Sequence, residues 1–441
     1  MPGRSLATNG WLNVAGCVPV FLMSLTPHSY PRKHVARTAA GIVSAVRALS
    51  LGAAVLLLTL TAFGASPAPS PSAAAAHNVR DFVIYADPTF YAAFPSVVKR
   101  PDGELLVAFR RAPARRALGE AGESHVDPNS YLVMVRSKDG ANTWTKEPAL
   151  IYAHAFGGSQ DPCLLALRDG TLLCASYGWS FLKPEAAASR QRPVFEIRPG
   201  VVFLGGYLVR SDDGGRSWNG PIYPPHIAPE LHLDPYGRPL PAYNRGALFE
   251  GKDGRIFWVV AAHESTAERR TSNHLLVSSD KGTTWTYAAP VAVDPKVSFN
   301  EASAYETPRG DLVAFLRTAG YEDQACVARS TDGGKTFQPW QSMGFKGHPL
   351  QALRLADNRV LLVYGYRHKP YGIRARILNA ECTDFATAPE IVIRTDGGTT
   401  DLGYPWSVQL DDRRVLVVYY FNVADGPRHI AGSILELGAG R

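Results

Sequence analysis

The stretch GYPWSVQLDDRRVLVVYYF, at residues 403–421, is the clearest copy of a unit that recurs along the chain. It runs through an apolar strand, turns at a polar segment, and returns through a more hydrophobic strand. Five further copies follow the same plan: FPSVVKRPDGELLVAFR (94–110), DPCLLALRDGTLLCASY (161–177), RGALFEGKDGRIFWVVAAH (245–263), NEASAYETPRGDLVAFLR (300–317) and HPLQALRLADNRVLLVYGYR (348–367). A supersecondary unit repeated in this way is typical of a β-propeller with one blade per copy. The sequence therefore predicts an all-β fold, a six-bladed β-propeller of four-stranded antiparallel blades.

A second motif follows the predicted third strand in four of the blades. It reads SKDGANTW (137–144), SDDGGRSW (211–218), SSDKGTTW (278–285) and STDGGKTF (330–337). In this motif, the Asp-box, the aspartate accepts turn amides, the glycine relaxes the backbone and the aromatic packs beneath the blade. Ala141 replaces the glycine of the first copy, and the fifth and sixth blades lack the motif. We expect the aspartates to be structural, because these turns lie on the face away from the predicted pocket.

Segments outside the repeats complete the predicted domain, which spans residues 78–441. The strand NVRDFVIYA (78–86) has no blade of its own, and we expect it to pair with HIAGSILEL (429–437). That pairing would close the ring without free sheet edges. Two long insertions, 178–206 and 219–243, are rich in proline and aromatic residues. Loops of this length in a compact fold usually shape a binding site.

The first 77 residues form a predicted leader that is excluded from the fold. Its apolar run ALSLGAAVLLLTLTAFG (48–64) follows basic residues and precedes a stretch rich in Ala, Ser and Pro. This order is typical of a secretory signal, which predicts a secreted or extracellular protein. The alternative is an uncleaved N-terminal anchor, which would be the protein's only link to a membrane.

Composition limits the class of partner. The leader holds five of the cations and no acid, so that removing them from the formal charge of +7 leaves about +2 for the remainder. That is too little to indicate nucleic acid or a membrane surface as partner. We expect a monomer that binds a glycan. Of the cysteines, Cys17 lies in the leader, while Cys163 and Cys174 flank one hairpin, where either a cross-strand disulfide or two reduced thiols would fit.

Propeller geometry alone nominates the residues of a pocket. The inner strand of each blade starts at the face where the second strand ends, so these positions converge on one mouth. The strand starts are Phe94, Asp161, Arg245, Glu301, His348 and Tyr404; the strand ends are Arg110, Tyr177, His263, Arg317, Arg367 and Phe421. Arginine forks in such a ring predict an anionic or polyhydroxylated ligand.

The six repeats and their Asp-boxes resemble the sialidase (neuraminidase) superfamily from about residue 78 to residue 437. The resemblance implies a glycoside hydrolase with a tyrosine nucleophile, a glutamate that deprotonates it, an aspartate acid/base and three arginines on the substrate carboxylate. Tyr404 in GYPWSV matches the tyrosine, and Glu301 in FNEASAYE matches the glutamate. Arg317 matches one arginine. Asp127 in HVDPNSYL fits the acid/base.

Two features separate the chain from that family. The family's first-blade Arg-Ile-Pro is Ala-Phe-Pro here, at residues 93–95, so that one carboxylate-binding arginine is missing. Arg110 or Arg367 could reach the same space, with Arg374 as a less favoured candidate. The Asp127 match is loose, because Glu120, Glu123 and His125 share its loop. These departures favour an exo-glycosidase for another sugar over a strict sialic acid hydrolase.

The chemistry is coherent without the family. A phenol has a pKa of about 10 and needs a neighbouring base, and a neutral phenol avoids repulsion by an anionic sugar. Asp161 would bind substrate hydroxyls or cap a turn, and His348 and Arg245 would line the substrate site. No cluster shows metal-ligand spacing, because His263 and His274 lack a Cys or carboxylate at a recognised interval. We predict no metal and no cofactor.

The leading hypothesis is a secreted, retaining, sialidase-like exo-glycoside hydrolase acting on a terminal acidic sugar. The alternatives are a carbohydrate-binding propeller without turnover and a polysaccharide lyase.

Overall fold

The computed structural model describes residues 75–120, 125–266 and 268–438. Nearly all of the predicted leader, including Cys17, lies outside the described residues, and with it the choice between signal and anchor. Within the described ranges, no helix is both long enough and apolar enough to cross a bilayer.

The described chain forms six antiparallel sheets arranged as the blades of a propeller. The chain begins with β1 (Ala76–Tyr85). Blade one contains β2 (Phe90–Lys99), β3 (Leu105–Pro113), β4 (Tyr131–Ser137) and β5 (Ala149–Tyr152), with a 3₁₀ turn at Arg115–Leu118. Blade two contains β6 (Gly157–Ser159), β7 (Cys163–Ala166), β8 (Leu172–Phe181), α1 (Pro184–Ala188), β9 (Glu196–Arg198), β10 (Val201–Ser211) and β11 (Asn219–Ile222).

The other four blades follow in chain order. Blade three contains β12 (Phe249–Glu250), β13 (Ile256–His263), β14 (Thr271–Ser278) and β15 (Thr286–Ala292). Blade four contains β16 (Ser298–Glu306), β17 (Leu312–Ala319), β18 (Gln324–Ser330) and β19 (Gln341–Lys346). Blade five contains β20 (Leu350–Arg354), β21 (Val360–Tyr366), β22 (Gly372–Leu378) and β23 (Glu390–Arg394). Blade six contains β24 (Gly403–Gln409), β25 (Arg414–Phe421) and β26 (His429–Leu437).

The ring closes through β1, as the sequence predicts. The sheet of blade six has the order β1-β26-β25-β24, so that the first strand of the domain is the outermost strand of the last blade. This arrangement confirms the six-bladed propeller with an N-terminal closing strand. Blade two departs from the simple plan, because its inner strand is divided into β6 and β7, which both pair with β8.

The second strand of each repeat is the most hydrophobic because both of its faces are buried. Every residue of β13 is buried, as is every residue of β25 after Arg414. Neighbouring blades pack face to face, so a strand in mid-blade contacts apolar side chains on both sides. The alternation typical of a half-solvated strand is therefore absent from these segments.

The four Asp-boxes form one repeated turn between the third and fourth strands. In the fourth copy, Asp332 Oδ1 accepts hydrogen bonds from the amides of Lys335 and Thr336, both at 3.0 Å, and Thr336 Oγ1 donates to Oδ2 at 2.6 Å. Ser330 Oγ donates to Asp332 at 2.8 Å and accepts the Gly334 amide at 2.9 Å. The aspartates therefore hold turns, as expected.

The cysteine pair of blade two is not bridged. Cys163 lies opposite Ala175 and Cys174 lies opposite Leu164, so the two thiols point to opposite faces of the sheet. Both are buried and free. Of the two alternatives for this pair, the structure has the reduced thiols, because the register prevents the disulfide.

Candidate active site

In three blades, the pairing between the inner strand and the second strand is irregular close to the mouth of the propeller. The ladder register shifts between Ala93 and Ser96, between Phe299 and Ala302, and between Gly403 and Trp406. Each shift brackets one of the predicted strand-start residues. β-bulges re-aim side chains, and they recur beside active sites.

Tyr404 and Phe94 occupy the same local geometry in adjacent blades. Tyr404 has a φ of 53° and Phe94 a φ of 57°, and each is followed by proline. Positive φ is uncommon for a bulky residue and persists only where the surroundings hold it in place. The two rings contact each other with centroids 4.8 Å apart. The strain directs both aromatic side chains into the same space.

The phenol of Tyr404 is joined to a carboxylate and a guanidinium group. Its hydroxyl donates to Glu301 Oε1 at 2.5 Å and accepts a hydrogen bond from Arg317 Nη1 at 3.0 Å. Arg317 also forms an ion pair with Glu301 Oε2. Tyr404 is 6% exposed and Glu301 is 9% exposed, so the group is largely shielded from water. The structure thus brings the three residues together as the sequence analysis proposes.

The electrostatic environment moves the pKa values of Tyr404 and Glu301 in opposite directions. Burial raises the pKa of Tyr404, and the charge of Glu301 raises it further. Burial also acts to raise the pKa of Glu301, but the positive charges of Arg317 and Arg245 outweigh it and hold that pKa below its usual value. The resting state is therefore a protonated phenol bonded to an ionised carboxylate, which is the arrangement that a base-assisted nucleophile needs.

Three further arginines surround this group. The guanidinium carbon of Arg245 lies 4.3 Å from the ring centroid of Tyr404, and Nη2 donates to the carbonyl oxygens of Pro95 and Tyr404 at 3.1 and 3.3 Å. Arg367 lies 5.3 Å from the same centroid and donates to the carbonyl of Leu402 at 3.0 Å. Both cations face the π-electrons of the Tyr404 ring.

Arg110 differs from the arginines beside Tyr404 because its guanidinium group donates no hydrogen bond to any described residue. It is completely buried, and none of its three guanidinium nitrogens has a hydrogen-bond partner among the described residues. It lies 5.5 Å from the ring centroid of Tyr91 and 5.9 Å from that of Phe94, and burial lowers its pKa. A buried cation of this kind is costly unless an anion or water reaches it.

Asp161 lies beneath the mouth and has a shifted affinity for its proton. It is 1% exposed, and Oδ2 accepts a hydrogen bond from the Tyr177 hydroxyl at 3.1 Å. Burial raises the pKa of Asp161 to about 7, although the positive charge of Arg245 opposes the shift. Oδ1 has no partner in the described chain. Asp161 therefore gains or loses a proton close to neutral pH.

Asp127 is held in a bidentate ion pair that the sequence did not predict. Arg115 Nε donates to Oδ2 at 2.7 Å, and Nη2 donates to Oδ1 at 3.0 Å. The Asn129 amide adds a bond to Oδ1 at 2.8 Å. Burial acts to raise the pKa of Asp127, but the hydrogen bonds of Arg115 outweigh it and the pKa is lowered. These contacts suit an anchor for the loop better than a proton donor.

His348 lies at the mouth, whereas Arg374 does not. His348 Nε2 is 3.4 Å from Asp323 Oδ1, and burial together with Arg317 and Arg367 lowers its pKa to about 4 against the effect of Asp323. Arg374 is on β22, the third strand of blade five, and its guanidinium group donates to backbone carbonyls there. The structure thus places Arg374 apart from the residues around Tyr404.

Sequence reasoning missed several residues of the mouth. The predicted Phe421 is wrong, because its ring packs in the core below Arg394, while Tyr420 contacts Phe94 with centroids 5.0 Å apart. Side chains alternate between the two faces of β25, so only Tyr420 of these two neighbours lies at the mouth. The predicted end of the strand was therefore one residue too far along the chain. Asp401, which accepts a hydrogen bond from Tyr420 at 3.0 Å, lies before the strand in a polar segment that carried no signal.

The two insertions build an aromatic cavity beside Glu301. The cavity has a volume of about 180 Å³. Its lining consists of Tyr177, Trp179, Phe195, Phe203, Tyr243, Asn244, Arg245, Asn300 and Glu301. A larger depression of about 540 Å³ lies among charged residues near the first Asp-box. Tyr404 does not line it. The cavity from the insertions reaches Glu301, the residue that accepts the hydrogen bond of the Tyr404 hydroxyl.

One group of side chains in the described residues could hold a metal ion. Glu230, His232 and His263 are all buried, and their ligand atoms lie within 4.8 Å of one another. His263 thus has a carboxylate partner, contrary to the sequence analysis. One oxygen of Glu230 is hydrogen-bonded to His232 Nδ1 at 2.9 Å and the other to His263 Nδ1 at 3.0 Å. Each oxygen also accepts a hydrogen bond from the backbone amide of the same histidine. These hydrogen bonds satisfy the carboxylate without a metal, and they tie the second insertion to β13.

Comparisons with known proteins agree with the architecture. The family model of the BNR repeat-like domain matches residues 194–417. A crystal structure of a protein of unknown function from Dyadobacter fermentans DSM 18053 is 69% identical, with a TM-score of 0.81, and the similarity covers 83% of this chain and 100% of that one. No curated protein matches the chain.

More distant solved structures share the fold. The Hadza microbial sialidase Hz136 is 18% identical with a TM-score of 0.57, covering 81% of this chain and 68% of that one. An α-L-arabinanase from Penicillium chrysogenum is 16% identical with a TM-score of 0.57, covering 81% of this chain and 98% of that one. At such identities the similarity concerns the propeller and not the substrate.

Proposed function

Because the chain belongs to the family of proteins with a BNR repeat-like domain, we propose that it is a retaining, sialidase-like exo-glycoside hydrolase. It removes a terminal acidic sugar through the phenol of Tyr404. The observation that carries the proposal is the hydrogen-bonded group of Tyr404, Glu301 and Arg317 at the mouth of the propeller. The glycoside hydrolases among its structural neighbours support the same class.

The reaction follows from the resting geometry. Glu301 accepts the phenolic proton as the oxygen of Tyr404 attacks the anomeric carbon, and the bond to the leaving oxygen breaks as a general acid at the mouth protonates that oxygen. The deprotonated acid then takes a proton from water as the water oxygen attacks the anomeric carbon of the glycosyl–tyrosine, and the proton on Glu301 returns to the departing phenolate oxygen. Arg317 stabilises the negative charge that develops on the phenol oxygen, because it already donates to that atom. Two displacements at one carbon retain its configuration.

The charges of the mouth support an acidic substrate. Arg110, Arg317 and Arg367 bring three cations to the space beside Tyr404, and Arg110 has no partner in the described chain. A carboxylate of the sugar would satisfy these groups with charge-assisted hydrogen bonds. Ala93 stands where the resemblance requires an arginine, and this substitution favours the alternative of an acidic sugar other than sialic acid.

We further propose that the enzyme is a monomer. We also propose that it acts outside the cell, because the apolar run at residues 48–64 has the pattern of a secretory leader. An uncleaved leader would instead tether it to the membrane.

Turnover of a panel of aryl glycosides, including sialosides and uronides, tests the function. Tyr404→Phe should lower kcat by about 10⁴-fold on any glycoside that the wild type cleaves, because the nucleophile is lost. Tyr364→Phe is the matched control, since Tyr364 is also buried and its hydroxyl donates to a carboxylate, Glu390, at 2.8 Å in blade five. It should keep wild-type kcat.

Two results would overturn the proposal. A wild type that cleaves no glycoside but retains glycan binding would indicate a carbohydrate-binding propeller. Formation of an unsaturated product that absorbs in the ultraviolet, undiminished in Tyr404→Phe, would indicate a lyase.

A further inference from the structure

Retaining hydrolysis requires a proton donor for the leaving oxygen, and the carboxylates already described are engaged. Asp127 accepts hydrogen bonds from Arg115 at both oxygens. Glu301 is bonded to Tyr404 and Arg317. Asp161 is 1% exposed and lies beneath the mouth. A donor has to be accessible to the leaving group, so another residue is needed.

His125 is accessible and lies on the side of the mouth formed by blades one and six. Its side chain is 52% exposed. Its ring lies 5.6 Å, centroid to centroid, from Phe94, whose ring contacts that of Tyr404 at 4.8 Å. The imidazole is thus separated from the nucleophile's ring by a single aromatic side chain.

A partly buried carboxylate, that of Asp401, orients this imidazole. His125 Nε2 lies 3.3 Å from Asp401 Oδ1. Asp401 is fixed in turn by hydrogen bonds from the Tyr91 and Tyr420 hydroxyls, both at 3.0 Å, and from Arg428 Nε at 2.8 Å. With its Nε2–H directed to a carboxylate, the imidazole presents Nδ1 as the atom that exchanges a proton. The described contact of Nδ1 is a long one, 3.4 Å to the Tyr91 hydroxyl.

We propose that His125, oriented by Asp401, is the general acid and base of the reaction. This inference rests on the proposed function. In the first step, Nδ1–H gives its proton to the leaving oxygen as the glycosidic bond breaks and the bond to Tyr404 forms. In the second step, Nδ1 takes a proton from water, whose oxygen forms the new bond to the anomeric carbon. Asp401 is a positioning residue that orients the imidazole and stabilises its protonated form before the first step and after the second.

An anionic substrate would help to charge this histidine. Burial lowers the pKa of His125, Asp401 raises it, and Arg367, Arg110 and Arg317 lower it further. A carboxylate bound to the arginines would cancel part of their effect, so that the pKa rises as the substrate binds. The acid form would then be populated in the complex at a pH where the free enzyme holds neutral imidazole.

The experiment compares leaving groups on the glycoside that the wild type cleaves best. His125→Gln should lower kcat/KM by about 10²-fold or more for an alkyl leaving group, which needs a proton, and much less for a nitrophenyl leaving group, which departs as the anion. Asp401→Asn should show the same dependence in weaker form. His77→Gln, an exposed histidine on β1, should match the wild type on both substrates.

The pH profile supplies a second readout. In the wild type, the pKa attributed to the acid should be higher in the profile of kcat, which reports the complex, than in that of kcat/KM, which reports the free enzyme. This difference should disappear in His125→Gln.

The results separate this inference from the function itself. Turnover that is lost in Tyr404→Phe but equal for both leaving groups in His125→Gln would overturn the role of His125 alone. The same conclusion follows if Asp127→Asn, and not His125→Gln, shows the leaving-group dependence. Absence of turnover in the wild type overturns both proposals.

Discussion

The two edges of each blade differ in how far their residues repeat. At one edge, Oδ1 of each Asp-box aspartate accepts a hydrogen bond from the amide four residues later, at Asp139, Asp213, Asp280 and Asp332. At the other edge, the six positions predicted as strand starts hold six different residues: Phe94, Asp161, Arg245, Glu301, His348 and Tyr404. The Asp-box turns share one backbone conformation, so the same residue types recur in them. The mouth instead needs different chemical groups, so its residues differ from blade to blade. In this protein, repetition indicates structure and its loss indicates the site.

Phe94 and Tyr404 show the same contrast at single-residue scale. Both have positive φ, both precede proline, and their rings touch. They differ by one hydroxyl group, and only Tyr404 contacts a carboxylate through it. The shared backbone conformation is a property of the repeat, whereas the hydroxyl group of Tyr404 is the part that the proposed reaction uses.

Among the variants that test this contrast between the two edges, the largest effect is expected when the mouth loses the charge of Glu301. Glu301→Gln should lower kcat by about 10³-fold, because the phenol loses its base while the side chain keeps its size. Steady-state kinetics on the best substrate measure the change. The matched control is Glu104→Gln at the opposite edge, where Glu104 is also buried and pairs with Arg100 at 2.5 Å and Arg136 at 3.1 Å. The control should lose stability and keep kcat; equal kinetics for the two variants would contradict the proposed division.

An intermediate effect is expected from Asp161, as a dependence of stability on pH. With a pKa of about 7 in the folded protein, Asp161 binds its proton more tightly there than in the unfolded chain, where its pKa is about 4. Its contribution therefore destabilises the wild type progressively as the pH rises from about 4 to 7, by at most about 1.4 kcal/mol per pH unit.

The variant Asp161→Asn tests this dependence, because its amide does not titrate. Chemical denaturation at several pH values should show its unfolding free energy gaining on that of the wild type between pH 4 and 7. A constant difference across this range would show that Asp161 does not carry the shifted pKa. Asp169→Asn is the control, since burial is slight there and Lys281 and Thr171 lower the pKa of Asp169 to about 2.

The smallest effect is expected at an Asp-box. Asp332→Ala removes the acceptor of two amides and two hydroxyl groups and should lower Tm by about 3 °C, with kcat unchanged. Differential scanning calorimetry and kinetics on one preparation measure both quantities. A fall in kcat with no change in Tm would place function at the turn and would reverse the contrast between the two edges.

Much of the site followed from the position of residues within a repeat. The strand starts and ends predicted that Tyr404, Glu301 and Arg317 would meet, since equivalent positions of a propeller lie around one axis. The same reasoning placed Phe421 at the mouth in error, because a shift of one residue along a strand moves a side chain to the other face. Arg374, the less favoured replacement for the missing first-blade arginine, lies on a third strand and outside the positions that converge.

The amino-acid sequence by itself determined the number of blades, the Asp-box turns and the meeting of Tyr404 and Glu301, because each depends on local pattern and on the order of the repeats. Only the tertiary structure decided that Arg115 holds Asp127, that Glu230 binds His232 and His263, and that Asp401 faces His125. These contacts join loops and insertions with no place in the repeat; Tyr91 and Asp401, for example, are 310 positions apart. Their pairing depends on where the closed ring brings blades one and six together, which no local pattern records.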